Sequence, residues 1–184
     1  MKKLSILFCL LFVINANATY FDLGIGIGGA SSVENDKSLD DMCDGCDDLA
    51  IDLMLHVGGK INDQFYLAGG LEALGHRYEF NNEYDDYMQL NSYLLGPIFI
   101  VYPVEHLQIS ASIGISWTYN TNSTNIKLDD GTGGALSLSI AWDSGIENGV
   151  LLGGRLFYSN VALDETNNNL SNTGICLFIA FAHK

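Results

Sequence analysis

Four short patterns in this 184-residue chain carry side chains able to do chemistry. The sharpest is Cys43-Asp44-Gly45-Cys46. C-x-x-C spacing serves as a redox pair, as half of a zinc site, or as a small loop closed by a disulfide. Zinc needs two further ligands, and the surrounding residues offer carboxylates but no His. A redox pair needs a lowered thiol pKa, which neighbouring acids oppose. Those acids are Glu34, Asp36, Asp40, Asp41, Asp44, Asp47 and Asp48, against Lys37. Asp40, Asp41, Asp44, Asp47 and Asp48 are candidate oxygen ligands for Ca²⁺ or Mg²⁺, although no EF-hand spacing is present. The alternative is a solvated acidic loop. Gly24, Gly26 and Gly29 satisfy G-x-G-x-x-G, but an acidic stretch with no helical period follows them, where a dinucleotide site requires a helix. No cofactor is implied. Ser159, beside Asn160, is a nucleophile candidate that would need an adjacent base.

The elements that position these groups follow from periodicity. Phe21, Leu23, Ile25 and Ile27 alternate with Asp22, Gly24, Gly26 and Gly28. Ile51, Leu53, Leu55 and Val57 alternate with Asp52, Met54, His56 and Gly58. The same period of two runs through 107–120 and 136–143, and less cleanly through 65–80, 88–103, 150–163 and 173–182. Period two marks strands, and the segments predict eight. Pro97 predicts irregular pairing in its strand. Turns at 62–64, 104–106 and 147–149 are tight, with Asn148-Gly149 a two-residue hairpin signal. The connections 33–49, 81–87, 121–134 and 164–172 are longer and polar.

Composition and leader set the surroundings. Acids outnumber bases 22 to 8, a formal charge of −14, which excludes nucleic acid as a partner because phosphate binding needs a basic surface. Met1–Ala18 combines Lys2 and Lys3, an apolar run from Leu4 to Ile14, and Ala16-Asn17-Ala18. That is the layout of a secretory signal cleaved near Ala18, leaving 19–184 as one domain. In an oxidising compartment Cys43 and Cys46 read as a structural disulfide, with Cys176 unpaired inside the barrel.

Alternating short and long connections fit an up-and-down barrel with tight turns at one end. The second face of the strands is mostly Gly, Ser and Ala, which suits the narrow interior of an eight-stranded barrel better than a water-facing exterior. The expected fold is therefore all-β, an eight-stranded antiparallel up-and-down transmembrane β-barrel. A soluble lipocalin-like barrel with an apolar cavity is the inverted alternative. Asp22, Asp52, His56, Lys60, Glu72, Asp143 and Arg155 fall on the inner face, with His76, and should form ion pairs plugging the bore. Tyr20, Phe21, Phe65, Tyr66 and Tyr102 at one end, and Tyr78, Phe80, Tyr84, Tyr87, Trp117, Tyr119 and Tyr158 at the other, suggest two interfacial girdles.

With this layout, and stretches such as Leu95-Gly96-Pro97 and Tyr158-Ser159-Asn160-Val161, the chain resembles the OmpA-type and opacity-like outer-membrane β-barrel families. The resemblance implies residence in the cell outer membrane, among its lipid and lipopolysaccharide. It also implies an aromatic last residue, whereas here Phe181 is followed by Ala182-His183-Lys184. Arg155-Leu156-Phe157-Tyr158-Ser159-Asn160 is further similar to the signature of lipid A deacylases, which runs His-x-Ser-Asn. Ser159 and Asn160 match, but Phe157 stands at the His position. The expected role is non-enzymatic, structural or surface-interacting, through acidic external loops that serve adhesion, cation bridging or envelope integrity. A lipid A esterase using Ser159 is the alternative.

Overall fold

The computed structural model describes residues 20–42, 47–79, 87–123, 130–145, 147–164, 166 and 168–184 (at 42, 47 and 48, the backbone alone). The leader, Cys43, Asp44 and Cys46 lie outside the described residues. The strands are β1 (Tyr20–Glu34), β2 (Lys37–Ser38), β3 (Asp47–Lys60), β4 (Phe65–Glu79) and β5 (Tyr87–Val104). They continue with β6 (Leu107–Asn122), β7 (Gly131–Asp143), β8 (Asn148–Leu163) and β9 (Asn169–His183). Each long strand pairs antiparallel with the next, and β1 pairs with β9 to close the sheet. The result is an eight-stranded barrel, because β2 is only a two-residue return of β1. Asn35 and Asp36, both at positive φ (46° and 64°), make that return, the conformation a tight two-residue hairpin demands. No described helix is long and apolar enough to cross a membrane.

Alternation puts the aliphatic side chains on the outside. Ile27 is 60% exposed, Ile113 61% and Leu177 73%. A belt of this kind would be untenable in water and is what a closed barrel shows to lipid, where closure also leaves no unpaired strand edge. The soluble lipocalin-like alternative has the faces reversed and fails on this arrangement.

Several local expectations shift. Asn148 and Gly149 open β8, so the turn before it is the longer 144–147. It is closed by Ser144 N–H donating to the Val150 carbonyl at 3.1 Å and by Gly145 N–H donating to Asp143 Oδ1 at 3.0 Å. Asn-Gly thus serves as a strand start because the Asp143 carboxylate has already turned the chain. At Pro97 the β5–β6 ladder skips a step without changing register, and the shift falls between Val101 and Val104, at the second proline, Pro103. Tyr20, Tyr66 and Tyr78 point into the barrel, at 0%, 7% and 1% exposure, and so belong to no outer girdle.

The interior is filled in layers along the axis. Tyr20, Tyr66, Ala68, Ile98 and Ile100 pack together at the tight-turn end. Ala50, Leu74, Leu94, Ala135, Phe157 and Cys176 form an apolar layer across the middle. Tyr78, Met88, Leu90, Val161, Leu163 and Leu170, with Leu39 from the β1–β3 connection, close the long-loop end. Polar side chains occupy the levels between.

Candidate functional site

The polar groups on the tight-turn side of the middle layer join into one network drawn from seven strands. Period two sends Asp22 (β1), Asp52 and His56 (β3), Glu72 (β4), Asp143 (β7) and Arg155 (β8) inward. All six are 4% exposed or less. His56 Nδ1 lies 3.0 Å from Asp22 Oδ2 and His56 Nε2 3.2 Å from Glu72 Oε1. Carboxylates accept only, so contact at both ring nitrogens fits an imidazolium donating twice. Arg155 Nη2 sits 2.6 Å from Asp52 Oδ1, and Arg155 Nη1 3.5 Å from Glu72 Oε2. Glu72 also accepts from Ser112 at 3.0 Å and from Ser137 at 2.6 Å.

The network continues to the tight-turn mouth. Tyr20 Oη donates to Asp22 Oδ2 at 2.5 Å and receives Gln108 Nε2 at 2.7 Å. Gln108 Nε2 also reaches Tyr102 Oη at 2.9 Å, and Tyr102 donates to Asp143 Oδ2 at 3.0 Å. The chain's last residue, Lys184, ends the path by placing Nζ 2.7 Å from Asp143 Oδ2 and 4.7 Å from the centre of the Tyr102 ring. Ion pairs buried this deeply are best compensated when each charge meets both a counter-charge and hydrogen bonds. Asp22, His56 and Glu72 have both, whereas Asp52 and Arg155 are compensated by charge pairing alone, with no side-chain hydrogen bond among the described residues.

Lys60 is the exception among the residues expected inside. Its side chain is 44% exposed and pairs with Asp63 at 2.9 Å. The alternation does carry it inward, but it is the last residue of β3 and stands past the final interior layer. There it lines an open bowl of about 660 Å³ together with Asp63, Glu105, His106, Glu147 and Lys184. Sequence reasoning missed Tyr20, Tyr102, Gln108, Ser112, Ser137 and Lys184 as members of the network. Gln108 and Ser112 were visible on the inner face of β6, whereas nothing in the sequence signals that the C-terminal lysine folds back.

Beyond the middle layer the polar level is built from hydroxyl and amide groups beside His76. Ser32 Oγ lies 3.5 Å from His76 Nδ1 and donates to Asn172 Oδ1 at 3.1 Å. Asn172 Nδ2 donates to Ser92 Oγ at 3.1 Å, and Ser92 Oγ is 2.9 Å from Thr118 Oγ1. Ser159 faces this level at 1% exposure. Its cross-strand neighbours are Ala135 and Asn172, neither a base, and its Oγ makes no hydrogen bond among the described residues. A serine there faces the bore, away from the lipid an outer-membrane esterase would attack.

In the acidic loop, Asp40 Oδ2 accepts from Ser31 Oγ at 2.7 Å and Asp40 N–H donates to Ser38 Oγ at 3.2 Å. Burial raises the Asp40 pKa, but the hydrogen bond from Ser31, with the hydroxyls of Tyr78 and Ser38 close by, outweighs it and holds the carboxyl below its ordinary range. Asp41 is exposed. Asp47 and Asp48 begin β3. Among the described residues no cluster of three or more His, Cys, Asp or Glu side chains is placed to hold a metal ion. Cys176 is buried and free, on the inner face of β9.

No protein-family model matches the chain. No curated protein matches it either. Solved structures do. The chain is similar to the attachment invasion locus protein Ail of Yersinia pestis, crystallised with the heparin analogue sucrose octasulfate, at TM-score 0.57 and 12% identity over 88% of this chain and 97% of that one. It is similar to Neisserial surface protein A at TM-score 0.53 and 13% identity, covering 87% and 95% of the two chains. The outer membrane protein OprG of Pseudomonas aeruginosa gives TM-score 0.51 and 12% identity, covering 89% and 96%. The fold is that of small outer-membrane β-barrels.

Proposed function

We propose that the protein is a non-enzymatic outer-membrane protein in which the barrel is an anchor and the long connections act outside the cell. One observation carries this reading: the bore is occupied from end to end. Asp52, Leu94, Ser92 and Leu90, on successive levels, are 0–1% exposed, so the described residues leave no water-filled path through the barrel for a solute. A barrel that neither conducts nor presents a nucleophile to lipid has its long connections left as the working surface. Eight strands return the chain to its starting side, so both termini and the tight turns face the periplasm and the connections at 35–46, 80–86, 123–130 and 164–168 face outward. The fold shared with an attachment invasion locus protein crystallised in complex with a heparin analogue is in keeping with an interaction role.

The acidic connection, with Cys43 and Cys46 proposed as a disulfide, is proposed as the principal contact with the exterior, through divalent cations or a host or envelope partner. The leader would be removed near Ala18 on export. The test is separation of inner membrane, outer membrane and periplasm, then gel migration with and without boiling. Outer-membrane recovery with migration that changes on boiling is expected. Recovery in the soluble periplasm would overturn the reading. Exchange of residues 40–46 for a short Gly-Ser linker, which keeps Leu39 and the start of β3, should then abolish surface binding of Ca²⁺-dependent partners while leaving migration unchanged.

A further inference from the structure

The outward faces of β4, β5 and β6 change chemistry row by row as these strands leave the aliphatic belt. Cross-strand register sets Leu71, Leu95 and Ile115 in one row, then Ala73, Tyr93 and Trp117 in the next. Gly75, Asn91 and Tyr119 follow, then Arg77, Gln89 and Thr121. Aliphatic groups thus give way to aromatic, then amide, then charged groups, at about 7 Å per row along the strand.

The aromatic row is a built surface. The Tyr93 ring lies 5.2 Å from that of Trp117 and 5.6 Å from that of Tyr119, with planes inclined by only 9° and 15°. Tyr93 and Tyr119 also share a hydrogen bond of 2.9 Å between their hydroxyls. Beside them Gln89 Nε2 donates to Asn91 Oδ1 at 2.8 Å. Both amides lie over Gly75, where a Cβ would stand 3.3 Å from Asn91 Oδ1 and 3.5 Å from Gln89 Nε2. Arg77 is held by Glu79 at 2.9 Å and lies 4.4 Å from the centre of the Tyr87 ring.

An interfacial girdle would run around the whole barrel. This one does not. Past the belt, the outward residues among those described are Gly134 and Thr132 on β7, Thr173 and Ser171 on β9, Gly29 and Ser31 on β1 and the aliphatic Leu49 on β3, with Tyr158 on β8 the one aromatic group among them. The aromatic and amide groups are concentrated on one side, in the order in which an amphiphile with a sugar head presents its own parts.

We infer that this face is a docking surface for a glycolipid of the surrounding outer leaflet. Its acyl chains lie against Leu71, Leu95 and Ile115. A sugar ring packs its C–H face on the electron-rich ring faces that the Tyr93, Trp117 and Tyr119 stack itself leaves uncovered. Its hydroxyls meet the amides of Gln89 and Asn91, and Arg77 offers a donor fork to any phosphate on the head. Continuity of the aromatic row with the lipid belt fixes the source as a membrane lipid, since a free sugar would make no use of the aliphatic row. The inference rests on the reading of the chain as an outer-membrane barrel.

The full chain is reconstituted into phosphatidylcholine vesicles holding a small fraction of lipopolysaccharide, extracted in mild detergent, and its retained lipid quantified by mass spectrometry. Lipopolysaccharide should be enriched over phosphatidylcholine on the wild type. Tyr93→Leu and Trp117→Leu should each lower that enrichment about threefold to tenfold. The double variant Gln89→Ala with Asn91→Ala, which leaves the ring stack in place, should also lower it. Tyr158→Leu on the opposite side should not. A wild type that inserts, migrates differently on boiling and yet retains no excess lipopolysaccharide overturns the inference and leaves the barrel reading standing. Failure to insert overturns both. Equal enrichment in all four variants, or full competition by the lipid-free oligosaccharide, also overturns the inference.

Discussion

The tight-turn half of the bore and the long-loop half are filled to the same degree by different chemistry. Toward the tight turns the polar level is ionic, with Asp22, Asp52 and Glu72 set against His56 and Arg155. Toward the long connections it is a hydroxyl and amide level built from Ser32, Ser92, Thr118 and Asn172 beside His76. The apolar layer around Leu74, Leu94 and Phe157 separates them. The first half depends on mutual compensation, because deleting one charge strands another in a medium that solvates it poorly. The second is assembled from neutral bonds worth about 1 kcal/mol each, so it should lose stability in small steps.

The most severe break should come from the ionic half. Arg155→Met leaves Asp52 without its cation and Glu72 with His56 alone, and should cost about 3–5 kcal/mol in urea unfolding from vesicles. Adding Asp52→Leu and Glu72→Gln to that variant should recover most of the loss. If Arg155→Met alone proves harmless, the ion pairs are not what holds this half. A charge on the outer wall should come next. Leu177→Arg, in the middle of the outward row of β9, should cost about 2–4 kcal/mol, against little change for Leu177→Ile. In the neutral half, Asn172→Ala removes bonds to Ser32 and Ser92 and should cost about 1–3 kcal/mol. An Asn172→Ala loss as large as that of Arg155→Met would erase the distinction between the halves.

The smallest expected effect concerns the loop above the neutral half. Asp40 has a depressed pKa in the folded chain, so its contribution is complete above the ordinary carboxylate range and is lost only as pH falls through the lowered value. Amide exchange at Ser38 and Leu39 should therefore stay slow through mildly acidic pH and quicken below it. Asp40→Asn should quicken it at neutral pH. Exchange that is fast at all pH values would show that Asp40 does not hold the loop.

How much of this was legible depended on contrast between the two faces of a strand. In β1 and β3, Leu23, Ile25, Leu53 and Leu55 alternate with Asp22, Gly26, Asp52 and His56, so lipid and bore faces separate at once. In β4 both faces are largely apolar, with Tyr66, Ala68, Leu74 and Tyr78 inside and Phe65, Leu67 and Leu71 outside. Alternation there carries no sign, and the tyrosines were read as belt residues. Lys60 shows the complementary limit. Period two gives the direction of a side chain but not the height at which the barrel wall ends. Bonds such as Asn172 to Ser92, between residues 80 apart, depend on which strands meet across the bore, and no local pattern encodes that.

The central claim is that the aliphatic face looks out to lipid and the charged face into the bore. Adjacent residues of β9 test it, since Leu177 is 73% exposed and Phe178 5%. In a background with Trp117→Phe and Trp142→Phe, single tryptophans are placed by Leu177→Trp or by Phe178→Trp, and the chain is reconstituted with lipids brominated at mid-chain. Strong quenching at 177 and little at 178 is the predicted result. Quenching at 178 with 177 spared, or at neither, would mean that the barrel is inside out or not in the membrane.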